Sequence, residues 1–176
     1  IGMGYEDYMI EMTGKTPFRH RRYLMDYYSG NLPGTPARGA LFSFNPKTGD
    51  ARISGTLASL CGLEKSLYEN DSYGQDISIQ KIILMQAHSM FLGGLPMLYY
   101  GDEIGYTNDY SFSNDRGKSY DNRWLHRPLI DWEKANRRNE EGTVENRIFS
   151  HMQALIKIRK NLTVIGDYKN LTCISP

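Results

Sequence analysis

The stretch GGLPMLYYGDEIGYTNDY, residues 93–110, decides the fold class. Its apolar part, LPMLYY at residues 95–100, follows two glycines and ends at Gly101. A short continuous apolar run bounded by glycine is typical of a strand that is buried on both faces of a parallel sheet. Pro96 lies near the start of the run, where a strand tolerates proline. The pattern therefore predicts an α/β fold with one strand over residues 95–100.

Helical patterns flank this strand on both sides and dominate the rest of the chain. Capping residues and apolar residues at helical spacing mark the starts and faces of these helices. The third helix carries Ile79, Ile83, Ala87, Met90 and Phe91 on one apparent face, and we predict that its His88 is a core residue. The predicted helices cover residues 16–30, 54–67, 76–92, 131–138 and 144–161.

A strand buried on both faces needs neighbouring strands, and the chain offers few candidates. The other β-like runs, residues 40–44 and 171–174, are short, and the first lies in an irregular segment rich in glycine and proline. We therefore expect the chain to be a fragment of a larger α/β protein whose sheet lies mostly elsewhere.

Composition and charge exclude several classes of partner. Lys and Arg number 21 against 20 Asp and Glu, so no global field favours nucleic acid or an anionic membrane. The basic cluster RHRRYL, residues 19–24, has no flanking basic segments, which argues against a nucleic-acid site. No apolar run approaches the roughly 20 residues that a membrane span needs. We expect a neutral partner.

The sequence predicts neither a metal site nor a cofactor. Cys61 and Cys173 lack the spacing of a zinc site or a disulfide scaffold, so we predict two reduced thiols, compatible with the cytoplasm. The four histidines show no ligand spacing, and NDYSFSNDRG at residues 108–117 does not meet the register of a calcium loop.

Two carboxylates, Asp102 and Glu103, follow the predicted strand. In an eight-stranded α/β barrel this position would place them at the catalytic rim. The alternative is that they organise the loop by accepting backbone N–H bonds. Hydrolysis of a glycoside needs two carboxylates that face each other across the bond, and neighbours on an extended chain point to opposite sides. They are therefore not expected to form the catalytic pair.

The loop YDNRWLHRP, residues 120–128, combines forked donors with an aromatic ring. Such a mixture suits a polyhydroxylated ligand. The same residues could instead form a salt-bridged anchor for the loop, and the sequence leaves both alternatives open.

Three segments resemble the α-amylase family of glycoside hydrolases, most closely its amylosucrases. They are GGLPMLYYGDEIG at residues 93–105, FNPKTGDARISGT at residues 44–56 and NRWLHRPLIDWE at residues 122–133. The first is similar to the eighth strand of the family's (β/α)8 TIM barrel and the turn after it. The three segments occur in the same order as in amylosucrases.

The resemblance implies a division of the chain into three parts. Residues 1–75 would be the helical and loop subdomain that amylosucrases insert between barrel strand seven and its helix. Residues 76–161 would be the end of the barrel, with strand eight and its flanking helices. Residues 162–176 would begin a C-terminal β-domain.

The resemblance also implies site residues. Arg123 matches the arginine that pairs with an upstream aspartate at the base of the sucrose pocket. Arg21 and Arg52 match arginines that line the acceptor subsites, and Tyr23 stands where amylosucrases have an aromatic residue near the acceptor. The family's nucleophile, general acid/base and stabilising aspartate lie on earlier strands, so no catalytic residue is predicted in this chain.

The expected function is part of a retaining α-glucosidase or transglucosidase that acts on sucrose or an α-glucan oligosaccharide. Its other expected partner is the N-terminal part of the same barrel. Two alternatives stay open. One is another family member, such as an α-amylase or trehalose synthase, and the other is a non-catalytic carbohydrate-binding module, which 21 aromatic residues and a neutral charge would suit.

Overall fold

Helices dominate the computed structural model, which describes residues 7–166 and residue 172. The predicted class, α/β and mostly helical, is confirmed, and the described strands form a single antiparallel hairpin rather than part of a parallel barrel sheet. The elements are α1 (Asp7–Met12), α2 (Pro17–Tyr28), β1 (Ala40–Asn45), β2 (Asp50–Ser54), α3 (Leu57–Cys61), α4 (Leu63–Tyr68), α5 (Ser72–Phe91), α6 (Trp132–Asn136) and α7 (Val144–Asn161). Short 3₁₀ turns cover Asp102–Ile104, Ser111–Asn114, Asn122–His126, Arg137–Asn139 and Thr163–Gly166.

Side-chain caps fix where the longer helices begin. Asp131 accepts the backbone N–H groups of two residues in α6, and Thr143 accepts the N–H of Asn146 in α7, so both predicted starts are confirmed. The predicted start of the third helix at Asp76 is wrong. Asp71 caps α5 instead, because its carboxylate already accepts the N–H of Gly74 at 3.0 Å.

The core lies where α5 and α7 pack against α3 and α4. The predicted apolar face of α7 is confirmed, with Ile148 and Met152 fully buried. On α5 the predicted face is confirmed at Ile79 and Met90, which are buried. Between them the buried positions are Ile82 and Gln86 rather than Ile83 and Ala87, which are only half-buried. The predicted core position of His88 is wrong. A helix turns 100° per residue, which carries His88 about 200° from Gln86 and into solvent.

The predicted strand at residues 95–100 is not formed. A strand needs a neighbour to accept and donate its backbone hydrogen bonds, and both described strands pair with each other. The apolar run therefore has no strand partner among the described residues, and Leu95 and Met97 are 95% and 87% exposed. Its end is tied down, since the Tyr100 hydroxyl donates to the carbonyl of Pro128 at 3.1 Å.

The hairpin confirms the β-like run at residues 40–44 and adds a strand that the sequence did not indicate. β2 was assigned to the irregular segment and to the start of a helix, but Ser54 pairs with Ala40 and the next helix begins after Thr56. The predicted run at 171–174, Cys173 and most of the proposed 162–176 unit lie outside the described residues.

None of the described helices has both the length and the apolar content needed to cross a membrane.

Candidate functional site

One face of the hairpin collects three of the predicted site residues. Phe42 and Arg52 are direct cross-strand partners, so their side chains project from the same face. Asp50 lies two residues from Arg52 on β2 and therefore shares that face. We call this surface the arginine face and define it by Phe42, Asp50 and Arg52, together with Arg21 and Arg123, which reach it from outside the sheet.

Arg21 reaches the arginine face from α2. Its Nε lies 2.8 Å from Oδ1 of Asp50, and its guanidinium also pairs with Asp7 on α1. The hydrogen bond with Asp7 is the main reason that the pKa of Arg21 is raised. Arg21 therefore joins α1 and α2 to the hairpin, with its side chain largely covered.

Arg123 reaches the same face from the 3₁₀ turn Asn122–His126. Its guanidinium lies 5.1 Å from the centre of the Phe42 ring. Its fork also pairs with Asp121, with Nη2 at 2.7 Å and Nε at 2.9 Å from Oδ2. Hydrogen bonds from Arg123 lower the pKa of Asp121 to about 2. Of the two alternatives for this loop, the salt-bridged anchor is present, and its carboxylate belongs to the loop itself.

The turn that carries Arg123 is fastened to the hairpin by its first residue. The Asn122 side chain donates to the carbonyl of Leu41 at 2.5 Å and accepts from the Ser54 hydroxyl at 3.3 Å. Asn122 lies 81 positions from Leu41 in sequence. The contact therefore sets the position of Arg123 over the sheet.

Arg52 is the third arginine of the arginine face, and it is exposed. Within residues 7–166 it forms no ion pair, whereas Arg21 and Arg123 each hold a carboxylate. Arg52 is thus the cation of the arginine face whose donors are open to a ligand.

Tyr23 does not belong to the arginine face. It follows Arg21 by two positions on α2, so it points about 200° away around the helix. Its ring is half exposed and lies 6.1 Å from the ring of Tyr27. The structure therefore brings together Arg21, Arg52 and Arg123 and separates Tyr23 from them.

Asp102 and Glu103 both accept hydrogen bonds that organise the loop. Glu103 Oε2 accepts the N–H of Gly101 at 2.7 Å, and Asp102 Oδ2 accepts from the Gln86 side chain at 3.2 Å. Burial, with a smaller contribution from Glu103, raises the pKa of Asp102 to about 6. The alternative that these carboxylates accept backbone N–H bonds of the loop is confirmed for Glu103, whereas Asp102 accepts from the side chain of Gln86 on α5 instead.

A polar network that the sequence did not reveal connects the hairpin region to the loop after residue 105. The Asn108 side chain accepts the N–H of Thr56 at 2.9 Å and donates to the carbonyl of Arg38 at 2.7 Å, while its backbone N–H donates to Ser59. Glu64 accepts from Ser59 at 2.5 Å. These partners lie 44 or more positions from Asn108, so no local pattern could have identified them.

The arginine face presents planar guanidinium forks and one aromatic ring. Within residues 7–166, no group of three or more His, Cys, Asp or Glu side chains is placed to hold a metal ion. No protein-family model matches the chain.

Proposed function

We propose that the chain is the acceptor-side and C-terminal part of a retaining α-glucosidase or transglucosidase of the α-amylase family, closest to amylosucrase. The observation that carries this proposal is the convergence of Arg21, Arg52 and Arg123 on the arginine face. Two of the segments chosen by resemblance, residues 44–56 and 122–133, meet there.

The side chains of the arginine face fit a neutral, polyhydroxylated ligand. A guanidinium offers several N–H donors in a fixed plane, which suits the hydroxyl groups of a sugar, and an aromatic ring offers an apolar face to the sugar ring. Arg21 and Arg123 are neutralised by Asp50, Asp7 and Asp121. The surface is therefore rich in donors but carries little excess charge, as sucrose or an α-glucan requires.

The unpartnered run at residues 95–100 supports the second part of the proposal, that the chain completes a barrel. In the proposal this run is strand eight, and it pairs with strands from the N-terminal part of the same enzyme. Exposure of Leu95 and Met97 is expected of a strand without its neighbours.

The proposed reaction proceeds through a covalent glucosyl-enzyme intermediate that is passed to water or to another sugar. The nucleophile, general acid/base and stabilising carboxylate come from the other part of the barrel. Residues of this chain bind and orient the acceptor.

A chimeric enzyme tests the proposal. Residues 1–161 replace the corresponding segment of an amylosucrase, and release of glucose and fructose from sucrose is measured. We expect a folded chimera that cleaves sucrose. Activity on starch or maltose alone would favour an α-amylase or trehalose synthase, and a folded but inactive chimera would contradict the proposal.

In the active chimera, Arg123→Lys should lower sucrose turnover by about tenfold, because an ammonium group cannot reproduce the planar fork of two parallel hydrogen bonds. Arg116→Lys is the matched control, since Arg116 is exposed and forms no ion pair within residues 7–166. Equal turnover in the two variants would remove Arg123 from the proposed site.

A further inference from the structure

A groove of about 460 Å³ lies beside the first turns of α2. Its volume falls in the range of small-ligand sites. Because Tyr23 points about 200° away from Arg21, the groove is distinct from the arginine face. We call it the basic groove, and its lining residues are Gly14, Lys15, Thr16, Arg19, His20 and Tyr23.

Lys15 and Arg19 of the basic groove differ in their ion pairs from the neighbouring arginines Arg21 and Arg22 of α2. Arg22 pairs with Asp26 at 2.9 Å, and Arg21 pairs with Asp50 at 2.8 Å. Lys15 and Arg19 form no ion pair within residues 7–166, and none of the described lining residues is a carboxylate. The chain as a whole carries a formal net charge of only +1, so this positive charge is local.

We propose that the basic groove binds a phosphate monoester. A guanidinium fork binds phosphate oxygens in pairs, and an ammonium group adds a compact point charge. Arg19 and Lys15 would hold the phosphate, and the half-exposed ring of Tyr23 would lie against the body of the ligand.

The lining favours an anion over a neutral sugar. Sugar hydroxyl groups donate as well as accept hydrogen bonds, and carboxylates are the strong acceptors that proteins offer to them. The described lining of the basic groove includes the cations Lys15 and Arg19 and no carboxylate. This inference is independent of the proposed glucosidase function, which places its acceptor site on the arginine face.

Three ligands separate the possible sources of binding in a titration of the chain followed by heteronuclear NMR at low salt. They are a hexose 6-phosphate, inorganic phosphate and the unphosphorylated hexose. We expect saturable, millimolar binding of the hexose phosphate, weaker binding of inorganic phosphate and no binding of the hexose. Salt at 0.5 M should weaken the binding of both phosphate ligands, because salt screens the charges of an exposed site.

Variants locate the binding. Arg19→Gln and Lys15→Gln should each weaken the binding of the hexose phosphate by about threefold or more. Tyr23→Ala should weaken the binding of the hexose phosphate without affecting the binding of inorganic phosphate. Arg22→Gln is the matched control on the same helix, since Arg22 lies outside the groove, and it should leave binding unchanged.

Lys15 and Arg19 are both exposed and can be replaced without disturbing packing, so loss of binding would not reflect unfolding. The proposal is overturned if no ligand saturates, if the hexose binds as tightly as its phosphate, or if Arg22→Gln weakens binding as much as Arg19→Gln.

Discussion

Asp102 shows how a residue with a structural role acquires an unusually high pKa. Its carboxylate is largely buried beside Glu103 and accepts one side-chain hydrogen bond, from Gln86. Burial in a medium of low dielectric constant disfavours the charged form, and a neighbouring carboxylate adds to this effect. The hydrogen bond from Gln86 opposes the shift only in part.

The raised pKa of Asp102 makes the stability of the chain depend on pH. Between its ordinary value of 3.8 and about 6 the unfolded state has lost the proton while the folded state keeps it. The stabilisation of the folded state by the proton of Asp102 is therefore complete below about pH 4, and it is lost as the pH rises through about 6. We expect Asp102 to lower the free energy of unfolding by about 2–3 kcal/mol over that range.

Asp102→Asn should abolish this pH dependence and make the chain more stable than the wild type at pH 7. Urea unfolding between pH 4 and pH 8 measures both effects. The amide stays neutral and can still accept from Gln86. Asp115→Asn is the control, because the pKa of exposed Asp115 is lowered and its effect belongs to more acidic solutions. The same slope in the wild type and Asp102→Asn would contradict this account.

Resemblance selected three arginines that the structure places on the arginine face, but it did not indicate their partners. Arg123 was chosen by its match to a family segment, whereas its pairing with Asp121 depends on the shape of the 3₁₀ turn. Tyr23 and Arg21 are two positions apart in sequence, yet α2 directs them to different surfaces. Phe42 was missed, although alternation along residues 40–44 was a signal that it shares a face with its cross-strand partner.

At the scale of elements, Gly62 forms the turn between α3 and α4. It has a φ of +102°, which side-chain-bearing residues rarely adopt, and it ends α3 and precedes α4. A Cβ atom at this position would lie 2.7 Å from Cβ of Pro36. The turn therefore needs glycine for two separate reasons.

Gly62→Ala should lower the free energy of unfolding by about 2–4 kcal/mol, the sum of left-handed backbone strain and overpacking. Gly142→Ala separates the two effects. Gly142 has a φ of +85° but no atom within 4 Å of the added methyl group, so strain alone should cost about 1 kcal/mol. Urea unfolding that gives equal losses for the two variants would rule out the close approach to Pro36.

The elements that the sequence predicted well are those with local signals. α7 carries a side-chain cap, helical periodicity and an apolar face within one segment, and α2 has Pro17 in its first turn, although Thr16 forms no side-chain cap hydrogen bond. The start of α5 was misplaced because both Asp71 and Asp76 could cap a helix, and only the hydrogen bond to Gly74 decides between them. The strand at residues 95–100 failed for a different reason, since pairing depends on a partner that local sequence cannot supply.

At the scale of the whole molecule, one series of exposed apolar side chains begins in the middle of α5 and continues into the segment after it. Leu84, Met85 and Leu92 are exposed, as are Leu95 and Met97 in the segment that follows. A groove of about 360 Å³ lies nearby, lined by Met90, Pro96, Leu98, Ile156, Arg159 and Lys160. Monomeric proteins rarely expose large contiguous apolar patches, so we expect this region to drive association of the isolated chain.

The double substitution Leu95→Lys and Met97→Lys should reduce self-association and binding of an apolar dye, because it places two charges on the most exposed part of the segment. Light scattering and dye fluorescence measure the two effects. Tyr68→Ser with Tyr73→Ser is the matched control, since both tyrosines are exposed but lie on α4 and at the start of α5. A wild-type chain that is monomeric and binds no dye would contradict the expectation.

The isolated chain should release no glucose or fructose from sucrose, maltose or starch. Glycosidic cleavage requires a general acid and an opposed nucleophile, with roughly 5 to 9.5 Å between the two carboxyl groups and the sugar between them. Asp102 and Glu103 are neighbours that share one 3₁₀ turn, and each carboxylate is engaged, with Gln86 and Gly101 respectively.

The elevated pKa of Asp102 could suggest a general acid, but a general acid without an opposed carboxylate cannot complete a retaining mechanism. Assays of the purified chain by reducing-sugar release should stay at background, and Asp102→Ala should leave that background unchanged. Saturable hydrolysis that disappears in Asp102→Ala would show that this carboxylate is catalytic.

Binding of an α-glucan oligosaccharide should be millimolar at best, about −4 kcal/mol, because the arginine face alone offers few hydrogen bonds to offset the entropy of association. Micromolar binding by the isolated chain would instead favour a carbohydrate-binding module, because it would mean that one wall of the site suffices for recognition.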